Sequence, residues 1–279
     1  MLDNTKLFLI FSGYNNRGVL SFCRFCNENE ILFKIVAIGP YDPIYETDYA
    51  NRVISERSST ELKVEHFNQF RQVIEASVQD AELYVLPTSE FLNRFLLDNR
   101  NALSDLRIKV PLCDGSLYES ISDKKSFGDL CLKYGVAIPN EYSSIDMCSI
   151  PFVAKPKKYF NDRKVVSTKP ILIEDSLQLN EFLKRDDLDE FFYQDFINGD
   201  SYYLLCHISN DGSCTMYSQK NFVQQGEGLS IIAAKSSNVH LSLPIQNYKS
   251  LFTSLGFVGL VMIEIRVTGS EIYMIEANP

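Results

Sequence analysis

The sequence predicts an α/β domain built on a parallel sheet, followed by an α+β domain whose strands are mostly antiparallel. Two patterns carry this. Up to about residue 115, short apolar runs alternate with helix-length amphipathic stretches, the signature of successive βαβ units. Beyond it, strand-like runs are joined by short turns, as in hairpins. With 279 residues, 45% hydrophobic and 23% charged, the chain is long enough to bury two cores.

The first part opens with the strand LFLIF and continues with the helical RGVLSFCRFCNEN, the strand FKIVAIGP, a helix near residues 64 to 79 and the strand ELYVLPT. A helix over 89 to 100 and the run IKVPLCD close it near residue 115. The turn after the first strand, SGYNNRG, contains Gly13 and Gly18 but not the G-x-G-x-x-G spacing, so it reads as a strand-to-helix turn. The second part starts with a short helix in SDKKSFGDLCLKYG, with Ser122 as its N-cap and Gly135 just past its end. The strands PFVAKPK and KVVSTKPILI follow, then a helix from Asp175 or Ser176, then FFYQDFI and DSYYLLCHIS. A turn at Asn210, Asp211 and Gly212 leads to SCTMYSQKNFV. A helix over about 244 to 255, stopped by Gly256, precedes the final pair VGLVMIEIRV and IYMIEANP around TGSE. No internal repeat or low-complexity tract is present.

The formal charge of −9 argues against a sequence-blind nucleic-acid binder, which needs a basic footprint to displace counterions. The apolar run Leu7 to Phe11 is too short for a membrane span and lacks signal-peptide flanks, which places the chain in the cytoplasm with no membrane partner. The seven cysteines are scattered and odd in number, as reduced thiols are. Cys23 and Cys26 form a C-x-x-C without a second ligand pair, so they read as two cysteines on an amphipathic helix. The three histidines, His66, His207 and His240, show no ligand spacing.

Chemistry-bearing residues collect at a few points. Glu264, Glu276 and Asn278 sit in two apolar strands, with Glu276 and Asn278 on one face. A three-residue loop of Gly269, Ser270 and Glu271 sets the two glutamates opposite each other, whereas a loop of two or four puts them on opposite faces. Opposed carboxylates destabilise a sheet unless a cation neutralises them, and two carboxylates with an amide oxygen suit magnesium; the alternative is a hairpin with acids on its wet face. Lys155, in PFVAKP, ends an apolar strand before a proline, so its ammonium is aimed outward from the ladder. Lys124 opens a helix, where its charge opposes the dipole until a phosphate relieves it; either lysine is otherwise a solvated surface charge. In YQDFINGDSYYLL an extended segment can offer backbone groups to a planar base, and Asp200 can accept ribose hydroxyls, unless this is an edge strand with a turn at Asn198 and Gly199.

Taken in order, these pieces resemble the ATP-grasp superfamily, in its carbamoyl-phosphate-synthetase-like and biotin-carboxylase-like carboxylate-amine ligase branch, from about residue 1 to the end. The resemblance implies a Rossmann-like pre-ATP-grasp domain over 1 to 115 and an ATP-grasp domain over 116 to 279, with lobes of about 116–190 and 191–279. It implies that Lys124 and Lys155 hold ATP phosphates, that Gln194, Asp195, Phe196 and Ile197 contact adenine, and that Asp200 binds ribose. Lys220, in YSQKNF, is its candidate for the terminal phosphate, with Lys155 and Lys220 as the catalytic pair; Glu264, Glu276 and Asn278 are its magnesium ligands. The implied partners are a small-molecule carboxylate and an amine, with a homodimer as an option. Three features depart from the pattern: the loop in KKYFNDRKVV, which would cover the phosphates, has no glycine; Gln194 stands where an acid is common; and the chain ends at Pro279, where the pattern continues, so a truncated chain is expected. The alternatives are a nucleotide-binding module without turnover and a dinucleotide-dependent Rossmann-type enzyme.

Overall fold

A computed structural model describes residues 6–76, 81–157, 160–161, 164–165, 170–224 and 231–279. The chain divides into two compact units, Met1–Gly115 and Ser116–Pro279.

In the first unit, β1 (Lys6–Phe11), α1 (Asn16–Glu28), β2 (Leu32–Ile38), β3 (Val53–Arg57), α2 (Val64–Glu75), β4 (Glu82–Val85), α3 (Glu90–Asp98), α4 (Arg100–Asp105) and β5 (Ile108–Lys109) follow in order. The strands form one parallel sheet in the order β3-β2-β1-β4-β5. Because side chains alternate along β1, Leu7, Leu9 and Phe11 enter a core with Phe67 and Phe70 of α2 and Leu92 and Leu96 of α3. Ile10 instead joins Phe33, Ile35 and Ala37 against Val19, Cys23 and Cys26 of α1. Burial on both faces explains why these strands read as continuous apolar runs. The C-x-x-C thiols lie in that second core, where burial pushes Cys23 up to about 11 and Cys26 up to about 12, so they act as small hydrophobes. The strand β3 was not legible, since VISER lacks a sustained apolar run. The helix expected over 89 to 100 is two helices that meet at Asn99.

The second unit holds α5 (Gly115–Ser122), α6 (Lys124–Lys133), β6 (Glu141–Tyr142), β7 (Phe152–Pro156), β8 (Phe160–Asn161), β9 (Lys164–Val165), β10 (Ile171–Ile173), α7 (Ser176–Phe182) and β11 (Phe191–Asp195). These are followed by β12 (Asp200–Ile208), β13 (Cys214–Gln224), β14 (Ile231–Ser237), α8 (Val239–Ser242), α9 (Gln246–Ser254), β15 (Gly259–Thr268) and β16 (Glu271–Asn278). Two antiparallel sheets result, ordered β10-β7-β11-β6 and β14-β13-β12-β15-β16, with β8 and β9 as a separate short pair. The first sheet runs to Asp195, past the residue-190 boundary expected from the sequence.

Two local expectations are corrected. Ser122 ends α5, and the N-cap of α6 is Asp123, whose carboxylate accepts from the Ser126 N–H at 2.8 Å. The loop joining β15 and β16 has two residues, Gly269 and Ser270, because Thr268 pairs with Glu271. The glutamates nevertheless face each other. Ile265 pairs with Met274 but Glu264 pairs with Glu276, so Ile275 is an extra residue, a bulge that restores the parity a two-residue loop removes.

The link between the two sheets is pinned at Gly199. A Cβ there would lie 2.5 Å from the Val267 carbonyl oxygen, and the Gly199 carbonyl accepts from Arg266 Nη1 at 3.2 Å. Gly199→Ala is expected to force the backbones apart and to lower stability by about 1–3 kcal/mol. Gly115→Ala, with open space around its Cβ, serves as the control. Equal melting temperatures for the two variants would refute the close-approach argument.

Candidate functional site

A cavity in the second unit is lined by Lys124, Lys155, Gln194 and Glu276, together with Gly128 and Ile275. Each polar group reaches it for a local reason. Lys155 stands directly opposite Phe192, and Gln194 opposite Glu141 and Val153, so Glu141, Gln194, Phe192, Val153 and Lys155 share one face of the four-stranded sheet. The opposite face, with Phe152, Ala154, Phe191 and Tyr193, packs on Phe182 and Ile173 as core. Lys124 is the first residue of α6, and Glu276 lies on β16, the edge strand of the five-stranded sheet.

Lys155 is only 6% exposed and sits on an interior strand, so the ammonium expected to be aimed outward from the ladder is buried. Its Nζ donates to the Ile275 carbonyl oxygen at 3.1 Å, so the lysine caps the bulge residue itself. The next amide along, Met274 N–H, donates to the Ala137 carbonyl at 2.8 Å. Burial pulls the Lys155 ammonium down to about 8, against the favourable field of Glu276. Lys124 Nζ lies 3.6 Å from Glu276 Oε2, a pair whose lysine side chain is 8% exposed. Two ammonium groups thus flank one carboxylate at the cavity wall.

Glu264 is 6% exposed. Burial, and then the charge of Glu276, push its carboxyl up to about 7, while Arg266 and Lys155 oppose the shift. Ser201 Oγ lies 3.5 Å from Glu264 Oε1, Asn221 Nδ2 donates to Ser201 Oγ at 2.9 Å, and Gln219 Nε2 donates to Asn221 Oδ1 at 2.9 Å. Asn278 pairs with Met262, two residues before Glu264, so Glu264, Glu276 and Asn278 share a face. Among the described residues no cluster of three His, Cys, Asp or Glu side chains could hold a metal ion. The set that fits a hard cation is smaller, two carboxylates and an amide, and a magnesium ion there would relieve the repulsion that raises Glu264.

The other sequence candidates lie apart from this cluster. Asp195 points to the core face, where its carboxylate accepts from Tyr142 OH at 2.7 Å and Asn140 Nδ2 at 2.8 Å. Phe196 and Ile197 form the half-buried link between β11 and β12. Lys220 pairs with Tyr202, which pairs with Ile265, so it lies on the face opposite Glu264; its Nζ is 2.5 Å from Asp200 Oδ2. The two residues expected to hold separate parts of a nucleotide therefore hold each other. On the Glu264 face of β13 stand Gln219 and Asn221; the turn at Asp211 and Gly212 sets Lys220 opposite Tyr202, but the face of Glu264 follows only from the register of β12 with β15. Glu141 was also missed, and no motif signals it. Of the loop KKYFNDRKVV, Lys157 and the backbone of the short β8–β9 pair are described, and the rest lies outside the described residues.

A second cavity, of about 390 Å³, lies in the first unit, lined by Arg71, Glu75, Glu82, Ser104, Arg107 and Lys109. Four of these side chains are paired with one another, Arg71 with Glu75 at 2.7 Å and Lys109 with Glu82 at 2.8 Å. No helix among the described residues is long and apolar enough to cross a membrane.

No family model and no curated protein sequence matches the chain. Solved structures match its fold. An ADP complex of purK, N5-carboxyaminoimidazole ribonucleotide synthetase, is similar with a TM-score of 0.65 and 17% identity, covering 100% of this chain and 71% of that one. The biotin carboxylase-βγ-ATP complex from Campylobacter jejuni gives 0.66 and 13%, covering 97% of this chain and 64% of that one. The L-amino acid ligase from Bacillus licheniformis gives 0.62 and 13%, covering 99% of this chain and 67% of that one. The fold is therefore the one expected, an α/β domain with a parallel sheet and then an α+β domain of two antiparallel sheets, and it is shared with these structures.

Proposed function

We propose that this chain, whose fold is that of the ATP-grasp carboxylate-amine ligases, binds ATP with magnesium and activates a carboxylate for attack by an amine. The observation that carries the reading is the convergence of Lys124, Lys155, Gln194 and Glu276 on one cavity, with buried Glu264 across the strand from Glu276. Two ammonium groups beside paired carboxylates make sense for a ligand that brings both phosphates and a divalent cation. The names of the similar structures carry ADP, βγ-ATP, and magnesium ADP with bicarbonate.

In this reading Lys124 and Lys155 bind phosphate oxygens, and Glu264, Glu276 and Asn278 hold magnesium, which neutralises charge on the transferred phosphoryl group. A carboxylate oxygen of the substrate bonds to the γ-phosphorus as the bond to the bridging oxygen breaks, releasing ADP and leaving an acyl phosphate. The amine then bonds to the acyl carbon, phosphate leaves, and the amine gives up a proton. In this reading the chain supplies position and charge and no covalent nucleophile, and the Ser218 Oγ–His240 Nδ1 contact of 2.7 Å takes no part. Binding without turnover is a second reading, favoured by Lys220 standing on the far face, paired to Asp200.

Thermal melting with ATP, with and without magnesium, tests binding, since a ligand of the native state raises the midpoint. A magnesium-dependent rise is expected, and no rise in either condition would sink both readings. Release of ADP and phosphate that depends on both a carboxylate and an amine, screened over panels of each, separates the first reading from the second.

A further inference from the structure

On the face of the paired carboxylates, directly opposed residues form one row across four strands: Glu276 on β16, Glu264 on β15, Tyr203 on β12 and Gln219 on β13. Lys124 and Lys155 serve the Glu276 end of this row. Beyond Glu264 the row carries no charge, because the register that turns Lys220 to the opposite face brings Tyr203 and Gln219 here instead. The donors beside Glu264 are largely spent. Gln219 Nε2, Asn221 Nδ2 and Ser201 Oγ form the chain that ends at Glu264 Oε1, and Arg266 Nη1 donates to the Gly199 carbonyl. Tyr203 differs. Its side chain is half-buried, its hydroxyl makes no hydrogen bond among the described residues, and the oxygen is not sealed from solvent. Burial, then the charges of Glu264 and Glu276, push its phenol up from the usual tyrosine value, so near neutral pH it is an unused O–H donor beside two carboxylates.

We propose that the Tyr203 hydroxyl donates to the terminal phosphate of the bound nucleotide, in the place expected of Lys220. This rests on the nucleotide reading above and adds one residue to that site. Phosphate oxygens gathered by a cation between Glu264 and Glu276 lie over this row, with two ammonium groups on one side and Tyr203 on the other. Lys155 shares its sheet face with Gln194, the residue expected at the base, so the lysine side is the base side and the phosphate farthest from the base falls to Tyr203. The phenol offers an anionic oxygen a charge-assisted hydrogen bond, worth about tenfold in affinity.

The test is calorimetry on the full chain, titrating ATP and ADP, each with magnesium, into wild type and Y203F. The variant is expected to bind magnesium ATP about tenfold more weakly and magnesium ADP within about twofold of wild type, since ADP lacks the phosphate concerned. Y203M makes the same comparison should Y203F not fold, with melting curves as the check. A hydroxyl that merely held Glu264 or the strand in place would weaken ADP as much as ATP, and that result would overturn the inference. Unchanged binding of both nucleotides would overturn it too. In either case magnesium nucleotide binds the wild type and the proposed function stands. Failure of both nucleotides to bind the wild type would overturn the inference together with the reading beneath it.

Discussion

Lys155→Met is expected to weaken ATP binding by about ten- to a hundredfold, the worth of a charge-assisted phosphate contact, while leaving the apo chain as stable as the wild type or more so. The stability half of this follows from burial. The ammonium is held down at about 8 because its charged form is poorly solvated, and methionine fills similar volume without that cost. Against the gain stands the Ile275 carbonyl, which loses its donor. The signs of the pH dependence are opposite for the two buried groups. The Lys155 value is depressed, so its charged form costs stability in full below about pH 8, and that cost fades as pH rises toward the unfolded value near 10.5. The Glu264 value is raised, so its contribution is complete below the unfolded value of 4.5 and is lost as pH rises through about 7. As far as these two groups go, the apo chain is least stable between about pH 7 and 8, where both are charged. Lys155→Met should abolish the rise above pH 8 and keep the fall between 4.5 and 7. Calorimetric titration with ATP and melting across pH 5 to 10 check both halves, and an ATP affinity equal to wild type would refute the phosphate assignment.

The elements of this site differ in how far the sequence exposes them. Lys124 and Lys155 stand out because a cation at a helix start, or inside an apolar run such as PFVAKP, conflicts with its local setting. Glu264 and Glu276 stand out for the same reason. What the sequence does not expose is parity. Lys220 is a cation in a strand, but the register of β12 with β13 and β15 turns it away from Glu264 and toward Asp200. Asp195 is likewise turned to the core by the alternation that brings Gln194 to the cavity. The β16 bulge is the sharpest case. A single extra residue at Ile275 reverses the conclusion drawn from loop length, and such an insertion is stabilised by tertiary partners, the Lys155 ammonium and the Ala137 carbonyl, that lie far away in sequence. Glu141 was invisible because its bond to Gln194 depends on a cross-strand pairing in a two-residue strand.

Glu276→Gln is expected to remove most of the stabilisation that magnesium ATP confers, with little change in the apo chain. Two apo effects nearly cancel. Removing the charge opposite Glu264 relieves the repulsion that, after burial, raises its carboxyl. The same change takes the counter-charge from Lys124, 3.6 Å away, and from the field that favours the Lys155 ammonium. The net apo shift should stay within about 1 kcal/mol, since each part is a modest electrostatic term at the wall of a cavity. The ligand-dependent shift has no such compensation. A carboxylate is a far better magnesium ligand than an amide, and the variant keeps one of two acids, so the added midpoint rise with magnesium ATP should fall by more than half while any metal-free ATP shift persists. Paired melting of wild type and variant, apo, with ATP and with magnesium ATP, separates the cases. An undiminished magnesium-dependent rise would refute the metal assignment. A large apo loss with the rise intact would show instead that Glu276 serves mainly as the counter-ion of the two lysines.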